Sequence, residues 1–312
     1  MAIKRKFDWG AINDKIKQQE NKNSYSSSDD TSLYKIKVKE DGSAQAIIRF
    51  LPPPEGEDLP FVKLYNHGWQ DVNGWVITNC PTTINKPCPI CKENQRIWDA
   101  ETSTARPRSR KASFYANIMV IKDPQTPENE GKVFKYRYGV KIHEKIMEKL
   151  QPDNPEIDEP VMVFDYAEGA NFKLKVKTVK SMIHGREVKF LNYDASAFSE
   201  PTHIVNSDGE EMNDADVEAL EGQLHSLSKI IAPEEFKSYT EIAELFNKKT
   251  GLSIATSPTG SVSKNTQEEV EDNEPPAAKR QKEKQVETVN VTQSSVDDDD
   301  EDDFFRKLSE ED

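Results

Sequence analysis

The sequence predicts a mainly β protein with some α-helix, built around an antiparallel barrel or sandwich. Three observations predict it. Short stretches of alternating apolar and polar residues, separated by turn residues, recur between about residues 34 and 200, as in antiparallel sheets. Helical periodicity replaces this pattern over residues 207–250. Both ends of the chain are polar, which confines the expected globular part to residues 34–250.

The strands and helices can be assigned in order along the chain. YKIKVKE alternates as a half-buried strand should, and AQAIIRFLP, after the turn DGS, is its predicted hairpin partner. Further strands are predicted in FVKLYNHGW, GWVIT, SFYANIMVIKD, KVFKYRYG, PVMVFDY, NFKLKVKTV and REVKFLNYD. Helices are predicted at residues 9–20 and in KIHEKIMEKLQ, DADVEALEGQLHSLSKII and APEEFKSYTEIAELFNKKTG, the last ending at Gly251.

Composition divides the chain into four parts. Hydrophobic residues make up 35% and charged residues 31% of its 312 residues, which is polar for a fully globular protein. We predict a basic N-terminal arm and linker at 1–33, a core at 34–250, a flexible linker at 251–295 and a disordered acidic tail at 296–312.

The net charge of −14 is unevenly distributed. Residues 253–312 hold 17 acidic and 7 basic side chains, a net of −10, whereas residues 105–149 hold 11 Lys or Arg against 5 Asp or Glu, a net of +6. The average charge argues against nucleic acid as a ligand, but the local basic region does not.

Several classes of protein are disfavoured at once. No apolar run approaches the roughly 18 residues of a membrane span. The start MAIKRKFDWG lacks the apolar stretch of a secretory signal. Three cysteines are an odd number, so they cannot form a complete disulfide framework. We therefore expect a reduced, soluble, intracellular protein.

All three cysteines and one of the five histidines lie close together in the sequence. The spacing is His67, twelve residues, Cys80, seven residues, Cys88, two residues, Cys91. A C-x2-C turn lets two thiolates bind one metal ion, and zinc prefers four tetrahedral ligands of nitrogen and sulfur. Three thiolates and a neutral imidazole leave no open position, so the pattern predicts one structural Zn²⁺.

Two alternatives to zinc stay open. The cysteines could be buried without a ligand, or the C-x2-C pair could be a redox dithiol, although no thioredoxin-like βαβ pattern surrounds it. Four other histidines could compete as the fourth ligand: His143, His184, His203 and His225. His67 is favoured because it closes a short loop at a predicted strand end.

A basic and aromatic band follows the cysteines. Its cations are Arg106, Arg108, Arg110, Lys111, Lys132, Lys135, Arg137 and Lys141, and its aromatic residues are Phe114, Tyr115, Phe134, Tyr136 and Tyr138. Cations attract phosphates, and aromatic rings stack on unpaired bases. The band therefore predicts binding of single-stranded nucleic acid.

The strand FKYRY within this band has two faces. Phe134, Tyr136 and Tyr138 share one face, whereas Lys135 and Arg137 share the other. Both faces cannot meet one ligand equally, so the alternative is that the rings belong to the core and the cations are solvated.

The C-terminal tail combines an acidic run with aromatic residues. The run is Asp297, Asp298, Asp299, Asp300, Glu301, Asp302 and Asp303, followed by Phe304 and Phe305. A solvated, disordered tail is one interpretation. A second interpretation is that this polyanion covers a basic groove of its own protein and, when nucleic acid displaces it, recruits partner proteins.

Several long motifs, in one order, carry a resemblance. AIIRFLP, NHGW, the C…CPIC pattern, RKASFYANIMVIKDP, PENEGKVFKYRYG and EGANFKLKVK resemble the single-stranded DNA-binding, helix-destabilising proteins of T-even-type bacteriophages. The likeness is close over residues 36–198 and looser over 200–295. The basic start and acidic end also match in kind.

The resemblance implies an OB-fold-like antiparallel core with a small zinc-binding subdomain at about residues 61–95. His67, Cys80, Cys88 and Cys91 fall on the family's zinc motif. It also implies cooperative coating of single-stranded DNA in viral replication, recombination and repair, in the cytoplasm of the infected host cell, and recruitment of replication and recombination proteins by the tail.

The family's basic arm docks on the neighbouring subunit along DNA, which implies self-association through Lys4, Arg5 and Lys6. The arm motif recurs in the core, where it corresponds to residues 109–113. Here Phe7 and Asp8 follow the arm cations where the family has hydroxyl residues. The stretch 99–109 lacks the family's tyrosine, so one stacking position is either lost or supplied by Trp98.

Two functions remain as alternatives to a non-enzymatic single-stranded DNA-binding protein. One is a zinc-stabilised RNA-binding or nucleocapsid-like protein. The other is a metal-dependent nuclease or deaminase, which needs an open metal position and a general base. The predicted ligand set is closed and no H-x-E precedes the C-x2-C pair, so an enzyme is disfavoured.

Overall fold

Strands dominate the computed structural model, which describes residues 31–99, 108–183, 186–206 and 208–257. Its strands are β1 (Ser43–Phe50), β2 (Phe61–Asp71), β3 (Gly74–Asn79), β4 (Lys111–Lys122), β5 (Val133–Tyr138), β6 (Ala170–Ile183), β7 (Arg186–Asn192) and β8 (Ala197–Pro201). Its α-helices are α1 (Pro89–Asp99), α2 (Val140–Leu150), α3 (Asp214–Glu221) and α4 (Tyr239–Thr250). In these ranges, no helix is both long and apolar enough to cross a membrane.

The described strands form one antiparallel sheet in the order β3-β2-β4-β1-β6-β7. β5 pairs with the free edge of β4, and β8 pairs with β6. β4 is the hub, because β2 pairs with its first half, β1 with its second half and β5 with its centre. Apolar residues occupy both faces of β4, as expected of a strand that is paired and covered on both sides.

The main core is an aromatic cluster between the sheet and α2. Phe50 is fully buried, and its ring centroid lies 5.7 Å from that of Tyr138, 5.8 Å from that of Phe164 and 5.8 Å from that of Phe172. Large rings in tilted and edge-on contacts bury much apolar area and favour one packing arrangement.

Residues 200–250 pack on this sheet in two places. Leu220 of α3 joins Leu51, Met119 and Ile204 in a second core cluster. The Asn117 amide also donates to the His225 carbonyl at 2.8 Å and accepts from its backbone N–H at 3.0 Å. The apolar residues that give this region its helical periodicity therefore pack against the β core.

α4 packs on a third cluster, beside the cysteines. Ile242 and Phe246 of this helix contact Val76 of β3 and Ile90 of α1. The helix begins with a capping box between Ser238 and Glu241. It ends at Gly251, whose φ of 69° suits glycine.

The prediction of a mainly β fold with some helix is confirmed, including the helices of KIHEKIMEKLQ and of residues 239–250 and the end at Gly251. The OB-fold assignment stays a prediction. The four-part division of the chain also stays a prediction, and the predicted helix at 9–20 lies outside the described residues.

Three element predictions were wrong. PVMVFDY forms no strand, because Val163 and Phe164 enter the main core from a turn. YKIKVKE forms no strand, and the isolated bridge to Lys135 is made by Leu33, the residue before it. The helix expected throughout DADVEALEGQLHSLSKII ends at Glu221, and α1 was not predicted.

Arg49 connects β1 to two loops, one before β6 and one after β8. Its side chain is buried, and Nη2 donates to the carbonyl oxygens of Asp165 and Thr202 at 2.8 and 2.9 Å. Burial lowers the pKa of Arg49 to about 10, against the opposite effect of the Asp165 carboxylate. The guanidinium therefore stays charged at neutral pH and holds two loops by their backbone.

Substituting Gly169 tests this tight packing. An alanine Cβ there would lie 2.3 Å from the Asp165 carbonyl oxygen and 2.8 Å from Arg49 Nη2. We expect Gly169→Ala to lower the free energy of unfolding by about 1–3 kcal/mol in urea denaturation. Gly222→Ala is the matched control, because its Cβ would meet nothing nearer than 3.6 Å. Equal stability of both variants would contradict the packing.

Candidate metal centre and nucleic-acid interface

Three chain segments bring the predicted metal ligands together. His67 lies in β2, opposite Thr78 of β3. Cys80 follows β3, where its backbone N–H donates to the Tyr65 carbonyl at 2.7 Å. Cys88 immediately precedes α1, whose first residue is Pro89, and Cys91 lies in its first turn. Proline favours the first helical position, so the helix start sets the direction of both C-x2-C sulfurs.

The four ligand atoms have the spacing of one metal site. His67 Nε2 lies 3.4 Å from Cys88 Sγ and 3.5 Å from Cys91 Sγ, and Cys80 Sγ lies 3.5 Å from Cys91 Sγ. All four atoms lie within 4.8 Å of one another. Tetrahedral zinc with ordinary bond lengths separates its ligand atoms by about 3.5–3.8 Å. The arrangement could hold one metal ion and is consistent with structural zinc.

Negative charge on all three sulfurs would need a cation to compensate it. Hydrogen bonds from Cys88 and Cys91 lower the pKa of the Cys80 thiol, whereas Cys80 and Cys88 raise the pKa of the Cys91 thiol. One thiolate therefore opposes the next, and a cation at the centre removes that opposition. His67, Cys80 and Cys88 are buried, which makes uncompensated negative charge costly.

The histidines that could compete with His67 are engaged elsewhere, where the structure describes them. The His143 ring stacks on Phe114 with 3.7 Å between centroids. A ring nitrogen of His203 is 3.2 Å from the Ile204 carbonyl, and one of His225 is 3.3 Å from the Val133 carbonyl. His184 lies outside the described residues. The choice of His67 is thus supported by geometry.

Arg108 of the basic band joins β2 to the cysteine region. Arg108 forms a salt bridge with Asp71 at 3.0 Å. Its guanidinium carbon also lies 5.5 Å from the Trp69 ring centroid and 5.2 Å from that of Phe246. The Asn94 side chain bonds the Arg108 backbone N–H at 2.9 Å and its carbonyl at 2.6 Å. These contacts fix where the chain enters β4.

Arg110 and Arg137 also have protein partners. Arg110 Nη1 donates to Thr82 Oγ1 at 2.7 Å, and its guanidinium carbon lies 4.0 Å from the Tyr65 ring centroid. Arg137 Nη2 donates to Ser113 Oγ at 2.9 Å. Both arginines are therefore oriented by the protein.

The aromatic residues of the band divide between core and surface. Phe114, Tyr136 and Tyr138 are buried in the main core. For these three rings, the structure supports the alternative that they belong to the core. Phe134 is partly buried against the same cluster. Tyr115 points to the other face of β4, opposite Arg137 of β5, and is half-buried. Of these aromatic residues, Tyr115 is best placed for a ligand.

We define the outer set as Lys111, Tyr115, Lys135 and Arg137. Strand register places them on the face of β4 and β5 that points away from Phe114 and Tyr138. All four side chains are partly exposed. The face continues through Met119 into the second core cluster, so the outer set ends where the C-terminal region covers the sheet.

Lys63 and Tyr65 were missed at the sequence level. Lys63 Nζ lies 4.7 Å from the Tyr65 ring centroid, and Arg110 contacts the same ring. Alternation within the predicted strand FVKLYNHGW places both residues on one face, which was the available signal. Together with Arg110 they form a second group of cations around a ring, at the edge of the cysteine region.

The remaining predicted site residues are not described. Trp98 belongs to α1, but its side chain lies outside the described part of the structure. Arg106, the arm residues Lys4, Arg5 and Lys6, and the tail residues 297–305 also lie outside it. Their roles stay predictions.

Comparison with known proteins identifies the family. The family model described as gp32 DNA binding protein like matches residues 42–250. A protein of Enterobacteria phage T2 named single-stranded DNA-binding protein is 38% identical over 229 residues, which cover 72% of each chain. One of Enterobacteria phage T4, with the same name, is 38% identical over 232 residues, which cover 73% of each chain.

The match includes both the cysteine region and the strands that carry the outer set. The resemblance to T-even-type phage proteins is therefore confirmed, and the chain belongs to the gp32 DNA binding protein like family.

Proposed function

We propose that this chain is a non-enzymatic protein that coats single-stranded DNA cooperatively and with little sequence preference. It acts in replication, recombination and repair of viral DNA in the cytoplasm of the infected host cell. The observation that carries the proposal is the 38% identity to two phage proteins named single-stranded DNA-binding protein.

The outer set supplies the chemistry that this function needs. Tyr115 and Arg137 are cross-strand neighbours, so a ring for base stacking lies beside a cation for phosphate. Lys111 and Lys135 extend the cationic surface along β4 and β5. Stacking and phosphate contacts both tolerate any base sequence, because every base has a π-face and every nucleotide a phosphate.

Arg108 and Arg110 are proposed to contribute charge at the edge of the cysteine region, next to Lys63 and Tyr65. Phe134 and Trp98 are kept as further candidates for base contact. The buried positions of Phe114, Tyr136 and Tyr138 favour a supporting role, in which these rings shape the strands that carry the contacting residues.

A titration with oligo-dT, oligo-rU and duplex DNA tests the proposed function. We expect tight binding to oligo-dT that weakens steeply with salt, and weak binding to duplex DNA. Tyr115→Ala should lower the affinity for oligo-dT by about 5- to 150-fold, since stacking is worth about 1–3 kcal/mol per base.

Tyr115→Phe is the matched control for that variant, because it keeps the ring and should bind nearly as the unaltered chain does. Equal binding to duplex and single strands would contradict the proposal. Equal or better affinity for oligo-rU would instead favour the RNA-binding or nucleocapsid-like alternative.

Zinc is proposed as a single structural ion bound by His67, Cys80, Cys88 and Cys91. Cys88→Ser removes one ligand and should abolish stoichiometric zinc in elemental analysis. We expect it to lower the free energy of unfolding by about 4 kcal/mol or more, since binding of a structural metal contributes directly to folding. Affinity for DNA should fall with the loss of folded protein.

Thr78→Ser is the control for local disturbance, because Thr78 is buried opposite His67 and keeps a hydroxyl in the variant. It should retain zinc and stability. Full stability of the unaltered chain after metal removal would rule out the structural role of zinc.

The two ends of the chain are proposed to regulate binding. The acidic run 297–303 is a polyanion, as DNA is, and would compete with DNA for the basic surface. When displaced, it would recruit replication and recombination proteins, with Phe304 and Phe305 as anchors. Lys4, Arg5 and Lys6 would dock on the neighbouring subunit along DNA.

Two truncations separate these roles. Removing residues 297–312 should raise the affinity for oligo-dT, most clearly at low salt, and an unchanged affinity would contradict the shielding.

Removing residues 1–9 should leave the affinity for an oligonucleotide of one site length unchanged while lowering the affinity for long strands. An equal loss on both lengths would contradict a subunit contact.

A further inference from the structure

We propose that Thr82 is a positioning residue that links the metal centre to Arg110, so that the metal ion and single-stranded DNA strengthen each other's binding. This inference rests on the proposed function, because it needs both ligands to bind. It adds a residue that neither holds the metal nor touches DNA.

The link consists of two hydrogen bonds through one hydroxyl. Thr82 Oγ1 lies 3.1 Å from Cys80 Sγ and accepts from Arg110 Nη1 at 2.7 Å. Thr82 belongs to the short 3-10 helix Pro81–Ile84 directly after Cys80, whereas Arg110 directly precedes β4. One side chain therefore joins a metal ligand to the start of the strand that carries the outer set.

Donor and acceptor chemistry gives this link a direction. Arginine only donates, so the Thr82 oxygen must accept from Arg110, and the Thr82 proton remains for another acceptor. A metal-bound cysteine is a thiolate, which can only accept. With metal bound, the order is fixed as guanidinium to hydroxyl to sulfur, and each bond is assisted by a charge.

Loss of the metal weakens this order. Without the ion, the Cys80 sulfur is no longer held at a fixed position, so the Thr82 hydroxyl 3.1 Å away loses the acceptor that orients it, and Arg110 loses the fixed oxygen it donates to. Charge-assisted bonds to outer residues of this kind commonly tune both ligand orientation and metal affinity.

Tyr65 also ties the position of Arg110 to the segment that follows Cys80. Arg110 lies over the Tyr65 ring at 4.0 Å. The Tyr65 carbonyl accepts from the Cys80 backbone N–H at 2.7 Å, and the Tyr65 backbone N–H donates to Thr83 Oγ1 at 2.9 Å. The ring and the hydroxyl that hold the guanidinium are thus both tied to the segment that follows Cys80.

Thermodynamic linkage turns this geometry into a measurable coupling. If the metal orients Arg110 for a phosphate, bound DNA must raise the affinity for the metal by the same factor. We expect a factor of about 5-fold, at the lower end of such couplings. Arg108 provides the contrast, because its salt bridge is to Asp71, which is not one of the four ligands.

The experiment uses the full chain as Thr82→Val, which removes the hydroxyl at nearly constant shape, and as Thr82→Ser, which keeps it. Zinc affinity is measured by competition with a chelating dye, with and without saturating oligo-dT. Oligo-dT affinity is measured by fluorescence anisotropy at a salt concentration where binding is not saturated. Asp71→Asn is the comparison variant, since it disturbs Arg108.

We expect oligo-dT to raise the zinc affinity about 5-fold in the unaltered chain and in Thr82→Ser. In Thr82→Val the zinc affinity should fall about 10-fold, and its response to oligo-dT should disappear. Asp71→Asn should keep the response of zinc to DNA.

Two outcomes would overturn the link in different ways. If the unaltered chain binds both ligands but Thr82→Val keeps the full response, Thr82 plays no part and the proposed function stands. If the unaltered chain fails to bind zinc or oligo-dT, the proposed function fails and the link fails with it.

Discussion

The convergence of one imidazole and three sulfurs on a single point is the constraint on which the rest of this structure depends. His67, Cys80 and the C-x2-C pair come from β2, from the end of β3 and from the start of α1. This region contributes a small apolar cluster, completed by Ile242 and Phe246 of α4. A metal ion bound by this closed ligand set would compensate for the limited core, as metal ions commonly do in small domains.

Two arginines of the basic region therefore have a structural task. Arg108 and Arg110 tie the start of β4 to the cysteine region through Asp71 and Thr82. Their positions are set by the protein before any ligand arrives. Such preorganisation lowers the entropy that binding must overcome. It suits a protein whose ligand is flexible and has no fixed shape of its own.

Local patterns predicted much of the fold, and long-range contacts account for the rest. Alternation located β1, β4 and β5, and cysteine spacing located the ligand set, because both depend on residues close in sequence. PVMVFDY has the apolar content of a strand, yet Val163 is buried from a turn that Arg49 helps to hold. The bond from Arg110 to Thr82 and the salt bridge of Arg108 join residues far apart in sequence, so no local sequence pattern predicts them.

Alternate residues of β4 face the main core and the outer face of the sheet. Ser113, Tyr115 and Asn117 point to one side, whereas Phe114 and Ala116 close the main core on the other. Inserting or deleting one residue within this strand would exchange the two sets, exposing a phenylalanine and burying the tyrosine proposed to meet the bases. Changes in length are therefore expected to be tolerated better in turns between strands, such as residues 123–132 between β4 and β5, than within β4.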